Sequence, residues 1–167
     1  MMTSCYANLD KITPPMSPVR ISRAAPRWMK GGWKCHCQPG VIGRDDLRLA
    51  PTAASLKATD AEYDRAFAAI LAQLDPRSVF DELGDDAVLL CFCDVIGDED
   101  NGIPAQFCHR RVVAEWFEFH LGVVVPELGV SRDDTYVCTT NRYPHYVAPK
   151  KKLAWIEQQL ANAKRAS

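Results

Sequence analysis

Seven consecutive apolar residues, Ala87-Val88-Leu89-Leu90-Cys91-Phe92-Cys93, constrain this chain more than any other feature. Asp85 and Asp86 precede the run and Asp94 follows it, so it has the length of a strand and not of a helix. A strand with one wet face alternates apolar and polar residues, whereas an unbroken run is covered on both faces. The run therefore predicts a central strand of a mostly parallel sheet, with layers packed above and below it. It is too short to cross a bilayer, which takes about twenty apolar residues.

The segments around it follow the same logic. Strands are expected over residues 3–6 and 19–22, with Pro14, Pro15 and Pro18 punctuating their connection. From 23 to 49 prolines and glycines interrupt any period, which predicts one long loop of the kind that is functional or mobile. Thr59-Asp60-Ala61-Glu62 has the form of a capping box, and Tyr63, Phe67, Ile70, Leu71 and Leu74 then fall on one helical face. Asp75-Pro76 opens a second helix that carries Val79, Phe80 and Leu83 and ends at Gly84. A third starts near Cys108, turns Val112, Val113, Trp116 and Phe119 inward and closes at Gly122, and Val123-Val124-Val125 reads as the next strand. Strand, crossover helix and strand in succession give a three-layer α/β fold with helices on both faces of the sheet. Residues 1–130 form this single domain, and 131–167 form an extension with a basic amphipathic helix over 150–164, docked on the same domain.

The formal net charge of −1 is the difference of two unlike parts. After residue 140 six basic side chains face Glu157 alone, so that segment carries +5 and the preceding 140 residues carry −6. Such a tail fits a contact with nucleic acid or another anionic surface, but without the aromatic-basic interleaving of single-strand binding a solvated helix face is the expected reading. The first fifteen residues have no basic stretch followed by an apolar one, and a cytoplasmic protein with no membrane association is expected. Hydrophobic residues make up 47% of 167, and a chain of this size buries roughly 70% of its unfolded surface, so neither disulfide nor metal is required. Its seven cysteines, an odd number, are expected to be reduced thiols, metal ligands or a nucleophile. Dinucleotide, P-loop and nucleophile-elbow motifs are absent.

Open α/β sheets bind ligands at the carboxyl ends of their strands. Here the central strand ends in Cys91-Phe92-Cys93 and the following helix opens with Cys108-His109-Arg110-Arg111. A helix N-terminus stabilises a thiolate or a bound anion, which makes Cys108 the candidate nucleophile and His109 its acid or base. Arg110 and Arg111, joined by Ser22 and Arg23 from the end of the second strand, form a candidate clamp for an anionic ligand such as a phosphate or nucleotide, with Cys91 beneath. The plain alternative is a buried Cys108, a His109 bonded to a backbone carbonyl and an arginine paired with Asp94 or Asp98. Zinc is a further possibility on Cys91, Cys93, Cys35 and Cys37, although both close pairs have the spacing C-x-C and not C-x-x-C. Trp28 and Trp33 could stack on a base or sugar, but buried packing is the expected use.

Several of these stretches together resemble a known family. Ser4-Cys5-Tyr6-Ala7, Val19-Arg20-Ile21-Ser22-Arg23 with Pro26 and Trp28, Leu49-Ala50-Pro51, Leu89-Leu90-Cys91 and Phe107-Cys108-His109-Arg110-Arg111 with Ala114-Glu115-Trp116 look like the pattern of domain of unknown function 488. The resemblance spans about residues 3–125. It implies a compact three-layer α/β fold in which Cys91, Cys108, His109, Arg110 and the Ser22-Arg23 pair line one pocket, and it implies no particular reaction. Cys93, the long acidic stretch 94–106 and Cys35-His36-Cys37 depart from the pattern. Three functions follow as expectations: an enzyme that attacks an anionic substrate through Cys108, a non-catalytic module for nucleic acid or anions, and a zinc-stabilised interaction domain.

Overall fold

The computed structural model describes residues 1–55, 58, 60–92 and 108–128. Cys93, the acidic stretch 94–106 and the C-terminal extension 131–167 with its basic helix lie outside the described residues. Among the described residues four strands, β1 (Met2–Cys5), β2 (Ser17–Arg20), β3 (Arg44–Asp45) and β4 (Ala87–Cys91), form one parallel sheet in the order β1-β4-β2-β3. Three α-helices among these residues accompany it: α1 (Asp60–Leu71), α2 (Pro76–Leu83) and α3 (His109–Leu121). Among the described residues no helix is long and apolar enough to cross a membrane.

The apolar run is the central strand, with all five residues of β4 buried between β1 and β2. Its side chains alternate between two cores, as the pleat requires. Ala87 and Leu89 join Phe67, Leu71, Val79, Leu83, Val113 and Phe117 beneath the α-helices. Val88 and Leu90 join Tyr6, Leu9, Ile12, Met29 and Val41 on the other face. Full burial of a leucine contributes about 1.5–3 kcal/mol, which explains why a strand with no polar face is tolerated only here. The architecture is the three-layer α/β fold that the sequence predicts. Among the described residues, the outer layer on the second face is a 3-10 helix, Tyr6–Lys11, and the loop after β2, where helices are expected from the sequence.

Helix ends follow local chemistry. The Asp75 carboxylate accepts a hydrogen bond from the Ser78 N–H at 2.7 Å and Pro76 occupies the first turn of α2. Gly122, at φ 65°, supplies the left-handed residue that ends α3. Strand boundaries differ from expectation in physically readable ways. β1 stops at Cys5 because Tyr6 begins the 3-10 helix. β2 starts at Ser17 and includes Pro18. The N–H groups of Ser17 and Ile21 donate toward β4, so Pro18 places its missing donor on the opposite side, ahead of the two-residue β3.

The loop over 23–49 carries β3 and two 3-10 turns, Trp33–Cys35 and Leu47–Leu49. The strand expected over 123–125 does not form. The Thr3 N–H donates to the Pro126 carbonyl and the Leu128 N–H to the Thr3 carbonyl, so the next N–H that would face β1 falls at Pro126, which has none; among the described residues the segment meets β1 through one bridge, between Thr3 and Glu127.

Candidate functional site

Three chain ends converge at the carboxyl edge of the sheet. Cys91 closes β4, Ile21 extends β2 with its N–H bonded to the Leu90 carbonyl at 3.3 Å, and Cys108 is the N-cap of α3. Cys91 has the same strand parity as Ala87 and Leu89, so it faces the helical layer and meets the first residue of α3. His109 Nδ1 lies 3.5 Å from Cys91 Sγ and 4.0 Å from Cys108 Sγ. The three atoms fall within 4.8 Å of one another.

The ring is fixed from its far side. His109 Nε2 lies 2.8 Å from the Ile21 carbonyl oxygen, which only accepts, so Nε2 carries the proton. In the neutral imidazole the lone pair then resides on Nδ1, aimed at both sulfurs. Phe67 packs edge-on against the ring at 5.5 Å. The whole cluster is enclosed: Cys91 is 4% exposed, Cys108 2% and His109 5%. Among the described residues this is the one group of three such side chains close enough to share an ion.

The arginines that follow are placed differently from the clamp expected of them. Arg110 Nε donates to Glu127 Oε1 and Arg111 Nη1 to Glu127 Oε2, both at 2.8 Å. The Thr3 hydroxyl donates to the same Oε2 at 2.8 Å and accepts from Arg111 at 3.2 Å. Arg110 is 1% exposed. Burial opposes its charge, yet Cys108, Glu127 and Cys91 more than offset that cost and hold its pKa above the ordinary arginine value. A permanent cation thus interacts electrostatically with both thiols.

Arg23 is exposed and does not join this group, while Ser22 is buried in a separate one. The Ser22 hydroxyl donates to the Ala24 carbonyl at 2.8 Å, so the Tyr6 hydroxyl, 2.8 Å away, donates to Ser22. Burial pushes the Tyr6 phenol up to about 12. Tyr6 also meets Phe92 edge-on at 5.2 Å. Cys35 and Cys37 stay in the loop, where the Cys35 thiol donates to the Gly31 carbonyl at 3.5 Å.

Sequence reasoning thus named Cys91, Cys108 and His109, which the fold brings together. The plain alternative, a buried Cys108 and a His109 bonded to a backbone carbonyl, also describes this arrangement, with Ile21 supplying the carbonyl. Glu127 and Thr3 were missed, because a carboxylate three residues after Val124 carries no local signal for a partner. Comparison with protein-family models, with curated proteins and with solved structures finds no match to this chain.

Proposed function

We propose that Cys91, Cys108 and His109 hold a thiophilic metal ion, zinc by preference, and that this chain is a metal-stabilised α/β domain. One observation carries the reading: two sulfurs and an imidazole nitrogen within 4.8 Å of one another, the ring oriented by a backbone carbonyl. In tetrahedral zinc sites, bonds of about 2.3 Å to sulfur and 2.0 Å to nitrogen give ligand-to-ligand edges of roughly 3.5–3.8 Å. The Cys91 to His109 edge of 3.5 Å meets that value, and the Cys108 edge of 4.0 Å needs only a small closing movement. Ligating histidines commonly donate their other N–H to a carbonyl, as His109 does to Ile21. Two thiolates and a neutral imidazole suit zinc, whose binding free energy becomes folding free energy when the ligands come from separate elements. The ion would tie the end of β4 to the start of α3, with β2 held through Ile21. The likeness to domain of unknown function 488 belongs to the same proposal, since Cys91 and Cys108-His109 are among its most specific positions.

A second reading rests on Cys108 as N-cap of the thirteen-residue α3, with the His109 nitrogen 4.0 Å from its sulfur. There Cys108 is a nucleophile toward an anionic substrate and His109 its base. One experiment separates the two. Purified protein is analysed for metal and titrated with Co²⁺, and the metal-free protein is then treated with iodoacetamide at neutral pH. The metal reading expects about one equivalent per chain, sulfur-to-cobalt charge-transfer absorption, and loss of both in Cys108→Ser and His109→Asn. Less than about a tenth of an equivalent with no cobalt absorption overturns it. In that case the nucleophile reading expects selective labelling of Cys108 with protection by phosphate, and an unreactive Cys108 removes it.

A further inference from the structure

The loop after β2 has a composition unlike the rest of the chain. Between Asp10 and Asp45 there is no acidic residue, while seven lysines and arginines occur. Fold contacts account for the flanking ones: Arg20 pairs with Asp45 at 2.5 Å, and Arg44 donates to the Leu83 carbonyl and to Ser17. Arg23, Arg27, Lys30 and Lys34 are all exposed, and no ion pair among the described residues involves them.

The two tryptophans of this loop serve different ends. Trp33 is an anchor. Its indole N–H donates to Asp45 at 3.2 Å, and its ring lies so close to Gly43 that a Cβ there would come within 2.2 Å of it. Trp28 has no such seat. It is 52% exposed in the middle of the four cations, held at 5.3 Å and nearly perpendicular to His36. His36 is itself fixed by its Nε2 on the Lys30 carbonyl at 3.0 Å. The fold therefore restrains an indole at the surface without using it as core, on a stretch of twelve residues, 23–34, that carries four exposed cations and no acid.

We infer that this loop binds single-stranded nucleic acid, with phosphates against Arg23, Arg27, Lys30 and Lys34 and a base stacked on Trp28. Single strands are held by a basic track that follows the backbone and by aromatic rings on which unstacked bases lie. A duplex would use the charge but leave Trp28 idle, because its bases are already stacked, and this irregular loop offers neither helix nor ribbon to a groove. A lipid surface would call for exposed apolar side chains next to the indole along the chain, where this loop has Arg27 and Lys30 exposed and Met29 buried. The surface begins at Arg23, two residues beyond the Ile21 carbonyl that orients His109, and it needs no contribution from the tail.

The test uses the full chain and a fluorescent oligothymidylate, with a duplex and anionic vesicles as competitors. Binding at low salt is expected, weakening as salt rises. Trp28→Ala should weaken it about tenfold. Replacing Arg27, Lys30 and Lys34 by alanine should lower the slope of log affinity against log salt by about two. All four side chains are exposed, so circular dichroism of the variants is expected to match the parent. Absence of binding at low salt overturns the inference. So does equal affinity of Trp28→Ala, an unchanged slope in the triple variant, or preferential capture of duplex or vesicles.

Discussion

Glu127 shows what one side chain contributes here. It is 5% exposed, and its two oxygens take hydrogen bonds from Arg110, Arg111 and Thr3, which belong to α3 and β1. Neither guanidinium can shed its charge, so the carboxylate is the group that makes their burial tolerable. Removing one member of a buried pair leaves an uncompensated charge and costs about 3–5 kcal/mol. Glu127→Gln is therefore expected to lower stability by about that amount, read as a drop in the urea midpoint at unchanged m-value. A loss below about 1 kcal/mol would mean that the pairs contribute no more than a surface contact does. The sequence offered Asp94 or Asp98 as the arginines' partner because they lie nearby along the chain. Those two lie outside the described residues; the partner described, Glu127, arrives through the left-handed turn at Gly122, a tertiary event that no spacing encodes.

Elements were readable where a period and a cap agree. α2 is the clearest case, since Asp75 caps it, Pro76 presets its first turn, and Val79 and Leu83 bury one stripe. Because the helix is only eight residues long, its end groups weigh heavily on it. Asp75→Ala removes the acceptor of the Ser78 N–H and is expected to cost about 1 kcal/mol. The measure is thermal unfolding, and Asp75→Asn should recover most of the loss because its amide oxygen still caps. The period alone made α1 legible and the unbroken apolar run made β4 so, whereas α3 was found with its face partly misread: Phe119, expected inward, is 60% exposed, and Phe117 is the aromatic that the core takes. β3 was not legible, because two residues cannot show a period, and the 123–125 segment misled because a run of β-branched residues suits any extended chain. Whether such a chain joins a sheet depends on which of its N–H groups face a neighbour, and the one next in line toward β1 is missing at Pro126.

At the scale of the molecule, the rule that sites gather at strand ends located the cluster, because Cys91 ends a strand and Cys108 begins the next helix. What the rule leaves out is how the two cores are joined across the sheet, and Tyr6 bears on that. It follows β1, lies in the core opposite the α-helices and donates its hydroxyl to Ser22 beyond the end of β2. Burial raises the phenol to about 12, whereas in an unfolded chain it titrates near 10. Between those values the unfolded state has released the proton and the folded state still holds it, so the unfolded state binds fewer protons and stability falls as pH rises. The contribution is intact below about pH 10 and is gone above about pH 12. Tyr6→Phe deletes both the hydrogen bond and this titration. Below pH 10 the variant is expected to be less stable than the parent by a fixed margin, and that margin should shrink through the alkaline range. Urea unfolding of both proteins at a series of alkaline pH values measures it. A margin that stays constant up to pH 12 would show that Tyr6 titrates alike in the folded and unfolded states, and that the neutral phenol is not what the second core holds.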